Sequence, residues 1–138
     1  MFRHIGIVVN NIEKMLFFYS EILELEIISD EIESGKFLNK ILGYQNIYGR
    51  IVKLGKNGKT IVELLDFNQK EESSEKTLIK KGITHFAITV NNLDILYKKL
   101  INNNLLTISE PQISVNEKFK VCFCTDPENN FIEIVEVL

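Results

Sequence analysis

The chain's only two histidines, His4 and His85, stand in near-copies of one stretch. Arg3 to Ile12 reads R-H-I-G-I-V-V-N-N-I and Thr84 to Leu93 reads T-H-F-A-I-T-V-N-N-L. Aligning the histidines also matches Ile7 with Ile88, Val9 with Val90, and Asn10-Asn11 with Asn91-Asn92. Two glutamates recur in the same manner: Glu63 in I-V-E-L-L-D-F and Glu133 in F-I-E-I-V, each at the centre of an apolar run. Two imidazoles and two carboxylates form a His2Glu2 donor set for a divalent cation. The two negative charges balance the ion, and positions remain for water or substrate. Taken singly, a strand histidine is more often a satisfied core or surface residue, and a strand glutamate more often faces solvent. The recurrence of both residue types in both halves favours the metal reading.

The elements that must position these residues also occur twice. His4 to Val9 is β-rich, and period-two alternation sets His4, Gly6 and Val8 on one face and Ile5, Ile7 and Val9 on the other. Asn11 is a helix N-cap, and Ile12, Met15, Leu16 and Tyr19 follow at the offsets of an amphipathic stripe ending near Leu23. Leu25 to Ser29 reads as a strand. Asp30 to Tyr48 reads as a long loop holding a short helix, and Arg50 to Leu54 as the next strand. Lys56 to Lys59 carries a hairpin turn signal, and Thr60 to Phe67 is the returning strand. The polar stretch 68–82 connects the halves. The order then repeats: strand Thr84 to Val90, N-cap Asn92, a helix with Leu93, Leu96, Tyr97 and Leu100, strands Leu105 to Ser109 and Lys118 to Thr125, a turn at Asp126 to Asn130, and strand Phe131 to Val137. The expectation is one α+β domain over 1–138, made of a module at 1–67, the connection, and a module at 83–138. Each module runs strand, helix, strand, strand, strand. Together they make a curved sheet with the helices on its convex side. The bulky sets then cover the helices and turn His4 and His85 to the concave face, where Glu63 and Glu133 lie among apolar neighbours. Carboxylates there are costly unless paired, neutralised or bound to a cation.

Composition narrows the function classes. A chain of 138 residues, 45% apolar and 25% charged, can bury one real core. A formal charge of −3 with interspersed signs leaves no basic stripe for nucleic acid. No apolar run reaches the roughly 18 residues of a membrane span, and the N-terminus lacks the pattern of a secretory signal, so the expected location is cytoplasmic. Cys122 and Cys124, two apart in V-C-F-C-T, share one strand face and lack the wider Cys-x-x-Cys spacing and second pair of a zinc site. They read as buried free thiols.

The chain resembles the vicinal oxygen chelate superfamily, which includes glyoxalase I, methylmalonyl-CoA epimerase, extradiol dioxygenases, and fosfomycin and bleomycin resistance proteins. The resemblance rests on H-I-G-I-V-V-N-N-I-E-K-M-L-F-F-Y, I-V-E-L-L-D-F, H-F-A-I-T-V-N-N-L-D and D-P-E-N-N-F-I-E-I. It implies two βαβββ modules forming a glyoxalase-like cup, a homodimer, and metal ligation by His4, Glu63, His85 and Glu133. Where glyoxalase I has an arginine on the first strand this chain has Val8, and L-L-D-F follows Glu63 without the usual asparagine. The F-L-N-K-I-L-G run and the Glu63 strand look closer to the epimerase.

The implied activity is that of a lyase or isomerase of the glyoxalase/epimerase type, acting on a small carbonyl or thioester substrate. A divalent ion (Ni, Co, Mn, Zn or Fe) stabilises the enediolate or enolate formed as a proton leaves the carbon beside a carbonyl. Glu133 is the first choice for the base and Glu63 the second. Two alternatives stay open. One is a non-catalytic small-ligand binding or resistance protein using a pocket of Phe37, Tyr44, Tyr48 and Phe131. The other is a small iron-dependent dioxygenase.

Overall fold

Alternating apolar side chains around Gly6 form the first strand, β1 (Ile5–Val8), in the computed structural model, which describes residues 2–138. Asn11 caps the helix that follows, its side-chain carbonyl accepting from the Lys14 amide at 3.0 Å. This helix, α1 (Ile12–Leu16), passes directly into a π-helical stretch, Phe17–Ile22. The expected stripe of Ile12, Met15, Leu16 and Tyr19 is buried, and the wider turn adds Phe18 and Ile22. Phe18 and Tyr19, adjacent in sequence, meet edge to face at 5.1 Å.

The chain divides into two compact units, one running to Glu72 and the other Ser73–Leu138. In the first, β2 (Glu26–Ser34), α2 (Lys36–Leu42), β3 (Tyr48–Lys56) and β4 (Lys59–Phe67) follow α1. They form a four-stranded mixed sheet in the order β1-β4-β3-β2, with β1 parallel to β4 and the other pairs antiparallel. Asn57 and Gly58, with φ of 52° and 71°, make the two-residue β3–β4 turn, the positive-φ pair that an Asn-Gly hairpin requires. Gly55 sits at a break in the β3–β4 register, where a Cβ would stand 1.8 Å from the Lys59 carbonyl oxygen, so only glycine fits.

The second unit repeats the plan with β5 (His85–Val90), α3 (Leu93–Asn102), β6 (Gln112–Ile113), β7 (Phe119–Thr125) and β8 (Phe131–Val137), in the order β5-β8-β7-β6. Asn92 caps α3 by accepting from the Ile95 amide at 2.9 Å. Leu93, Leu96 and Leu100 of α3 are buried, as are Ile132 and Ile134 of β8 and Cys122 and Cys124 of β7. The α+β class and the repeated strand-helix-strand-strand-strand plan are therefore observed.

Two segments differ from the sequence-based expectation. Asp30 to Ser34 continues β2, while the short helix expected within the following stretch is present as α2. Being the sheet's edge, β2 pairs only with β3, so the acidic side chains of D-E-I-E sit in solvent without disrupting the ladder. Conversely, the strand expected at Leu105 to Ser109 is reduced to a single bridge, Thr107 to Cys124. The amides of Ile108 and Thr125 still find carbonyls at Phe123 and Leu106, but Pro111 donates nothing, and regular pairing resumes only over the two residues of β6.

Candidate metal centre

Strand alternation sorts the two faces as the sequence implies. In the first unit Ile7, Val9, Val62 and Leu64 are buried, while Gly6 and Val8 are exposed and His4 and Glu63 half-buried on the other face. Parallel pairing of β1 with β4 sets Gly6 beside Glu63, which lets His4, two residues back, reach the same carboxylate. His4 Nε2 lies 3.3 Å from Glu63 Oε2. In the second unit Ala87 takes the place of Gly6 beside Glu133, and His85 Nε2 lies 3.7 Å from Glu133 Oε2.

These pairs suit a dication chemically. Donor atoms about 2.1 Å from one ion stand roughly 3.0–3.4 Å apart, and imidazole Nε2 with carboxylate oxygen is a donor pair that first-row divalent ions accept. The His4–Glu63 separation falls in that range and the His85–Glu133 separation is slightly wider. Thr84 Oγ1 stands 2.9 Å from His85 Nδ1, which orients the ring and leaves Nε2 as the atom facing Glu133. Among the described residues, no group of three or more His, Cys, Asp or Glu comes together in metal-holding geometry. The donors thus occur as one pair in each unit.

Glu133 is delivered by a turn locked by one buried carboxylate. Asp126, 2% exposed, accepts from the amides of Glu128 and Asn130, each at 2.9 Å, and from Asn130 Nδ2 at 2.7 Å. These bonds hold the D-P-E-N-N turn so that β8 begins at Phe131.

The two pairs have different flanks, which the sequence alone did not reveal. Lys53 on β3 is the register partner of Glu63, and its Nζ lies 3.7 Å from Glu63 Oε1. The corresponding partner of Glu133 is Phe123 on β7, whose ring meets His85 edge-on at 5.1 Å. Glu63 accordingly has a cation on one side and an imidazole on the other, while Glu133 has an imidazole and an aromatic wall. Lys53 and Phe123 could have been found only by aligning the second hairpins of the two halves in register, beyond the histidine and glutamate motifs.

Cys122 and Cys124 pair in register with Ile134 and Ile132 on the buried face, away from Glu133. Burial pushes the Cys122 thiol up to about 11. Cys124 is pushed up to about 12 by burial, with Cys122 and Asp126 adding to it. Both cysteines are free and structural, as expected. Of the aromatic pocket considered from sequence, Tyr44 lines a cavity of the first unit and Phe131 a smaller cavity of the second. Phe37 and Tyr48 are exposed and line neither. No helix among the described residues is long and apolar enough to cross a membrane.

Solved structures share the fold over nearly the whole chain. A glyoxalase family protein from Bacillus cereus superposes with a TM-score of 0.87 at 17% identity, covering 99% of this chain and 93% of that one. The trypanothione-dependent glyoxalase I of Leishmania major gives 0.65 at 18% identity, covering 96% and 84%. A fosfomycin resistance protein from Listeria monocytogenes gives 0.67 at 14% identity, covering 100% and 93%. At these identities the likeness is one of fold. No curated protein matches the chain by sequence. The family model for the Glyoxalase/Bleomycin resistance protein/Dioxygenase superfamily matches residues 2–134, and the chain belongs to that superfamily.

Proposed function

We propose that His4, Glu63, His85 and Glu133 hold a divalent metal ion, and that the protein is a lyase or isomerase of the glyoxalase/epimerase type. The observation that carries this reading is the twice-repeated His–Glu pair, each with imidazole Nε2 facing a carboxylate oxygen on the half-buried face of its sheet. When bound, the ion supplies positive charge to a substrate carbonyl oxygen that gains negative charge as a neighbouring C–H is broken.

The chain's own residues supply the rest. Glu133 accepts the proton from the carbon beside the carbonyl and returns it to the same or a neighbouring carbon. It suits this role because, among the described residues, no lysine lies beside it as Lys53 does beside Glu63 to hold its negative charge in place. Thr84 keeps the His85 ring oriented, and Phe123 keeps water from one side of the pair. Glu63, held by Lys53 and His4, is the more static carboxylate.

The test is solvent deuterium exchange into hemithioacetals and acyl thioesters, with and without Glu133→Gln. Exchange into one class by the metal-loaded parent, reduced at least about 100-fold in Glu133→Gln assayed at saturating metal, supports the assignment. Full turnover in metal-loaded Glu133→Gln contradicts it. A second reading, a binding protein without turnover, draws support from the apolar cavity of the first unit, and complete absence of exchange in the metal-loaded protein would favour it.

A further inference from the structure

Thr125 is out of pattern on its face of the second sheet. By strand alternation it shares that face with Phe123, Phe131 and Glu133, which are half-buried, yet it is only 4% exposed. Its register partner is Phe131, and Phe131 is also the partner of His85, so Thr125, Phe131 and His85 form one row across β7, β8 and β5. The next row on the same face is Phe123, Glu133 and Ala87, two residues away, about 7 Å along the strands. Thr125 and Phe131 line a cavity of about 360 Å³. Its walls are completed by Leu106 and Ile108 and by Ser73 to Lys76 of the connecting segment.

The connecting segment walls that cavity without belonging to the sheet. Residues 71–77 form no helix, strand or turn, and Ser73 to Thr77 are exposed. Two lysines shape the segment. Lys80 Nζ donates to Ser74 Oγ at 2.8 Å and to the Glu75 carbonyl at 3.0 Å, folding it on itself. Lys76 Nζ reaches out of it, donating to Asn130 Oδ1 at 2.6 Å and to the Glu128 carbonyl at 3.3 Å. Asn130 in turn donates from Nδ2 to the buried Asp126 carboxylate, so a continuous chain of hydrogen bonds runs from the segment to the turn that begins β8. An exposed ammonium held by neutral oxygens exchanges readily with water, whereas the Asp126 turn is buried. A segment outside the sheet and tied in this way opens locally at far lower cost than the sheet beneath it.

We propose that residues 73–81 form a strap over the second unit's cavity, latched by Lys76 to the Asp126 turn, and that its opening admits small solutes to the sheet face that carries His85 and Glu133. Lys76 is a positioning residue: it touches no reacting atom and acts by holding the strap shut. The device goes beyond the reaction proposed above and operates whether or not the His–Glu pairs hold metal.

The test reads solvent access at Thr125, using Thr125→Cys in the full chain and iodoacetamide, with mass spectrometry assigning the alkylated site. The thiol at position 125 is expected to label slowly with the latch intact and at least about threefold faster once Lys76→Met is added, the factor expected for loss of an exposed charge-assisted hydrogen bond. Lys76→Arg, which keeps the charge and the donors, is expected to restore the slow rate. Labelling at Cys122 and Cys124 and the urea midpoint should stay unchanged, because the sheet itself does not open. Cleavage within residues 73–81 by a protease of broad specificity, an assay that needs no change at Thr125, should rise in Lys76→Met by a similar factor. Equal rates with and without Lys76→Met in either assay, or an acceleration shared by Cys122 and Cys124, overturns the proposal.

Discussion

Lys53 Nζ stands 3.7 Å from Glu63 Oε1, whereas Phe123 holds the corresponding position beside Glu133. The duplicated halves have therefore kept the His–Glu pair and changed what flanks it. A cation beside a carboxylate competes with any metal ion for that carboxylate's charge, whereas an aromatic ring does not.

Lys53→Met is accordingly expected to raise affinity for a divalent ion. Lys53 is about a third exposed, so solvent screens it and the gain is about 0.5–1 kcal/mol, roughly two- to fivefold. Phe123→Lys, which places the same cation in the second unit, is expected to lower affinity by a similar factor. Competition with a chromophoric chelator, at low and high salt, measures both. The difference for Lys53→Met should shrink as salt rises, and an unchanged affinity in both variants would show that the flanking residues do not act on the metal.

A second expectation concerns Arg50, which bonds Asp30 at 2.8 and 2.7 Å and also reaches Glu13, tying β3 to β2 and α1. The guanidinium hydrogen bonds and charge hold the Asp30 carboxyl below its usual range, with partial burial opposing them. A carboxyl whose folded value is depressed contributes stability that is present above the ordinary aspartate value near 3.9 and lost as pH falls through its lower folded value. Arg50→Met should therefore cost at most about 1 kcal/mol at pH 7, since solvent screens the pair, with the difference from the parent closing as pH falls below the ordinary aspartate value near 3.9. Urea unfolding across that range reads the difference. A gap that stays constant to pH 2 would place the effect in packing of the arginine stem.

The two cysteines offer a third check. With Cys122 pushed up to about 11 and Cys124 to about 12, both sealed in the face that packs toward α3, neither presents a thiolate at pH 8. A thiol-specific disulfide reagent is expected to label the native protein no faster than the chain unfolds, and to label both thiols at once in denaturant. Rapid labelling of one thiol in the native state would mean that this face opens locally.

Much of the architecture was legible because local signals agreed with tertiary burial. Asn11 and Asn92 cap helices, Asn57-Gly58 turns a hairpin, and the Ile/Val alternation of β1 and β4 faces the core as its period requires. The four candidate ligands were legible for the same reason, since a period-two pattern leaves them on the face opposite the buried valines and isoleucines. The misses occurred where tertiary pairing outweighed local composition. The acidic end of β2 resembled a loop until β3 was there to pair with it, and the apolar Leu105 to Ser109 resembled a strand although only one bridge forms. The pairing of Lys53 with Glu63 depends on antiparallel register across a bulged hairpin, and neither residue's own neighbours in sequence reveal it.

The most direct measurement of the central claim is metal analysis of protein purified without chelators, followed by titration with Ni, Co, Mn, Zn and Fe(II), for the parent, His4→Ala and His85→Ala. About one ion per chain is expected, with affinity falling more than about tenfold in each variant, because on the proposed reading each removes one metal ligand. Less than about a tenth of an equivalent in the parent, with no uptake on titration, would contradict the account.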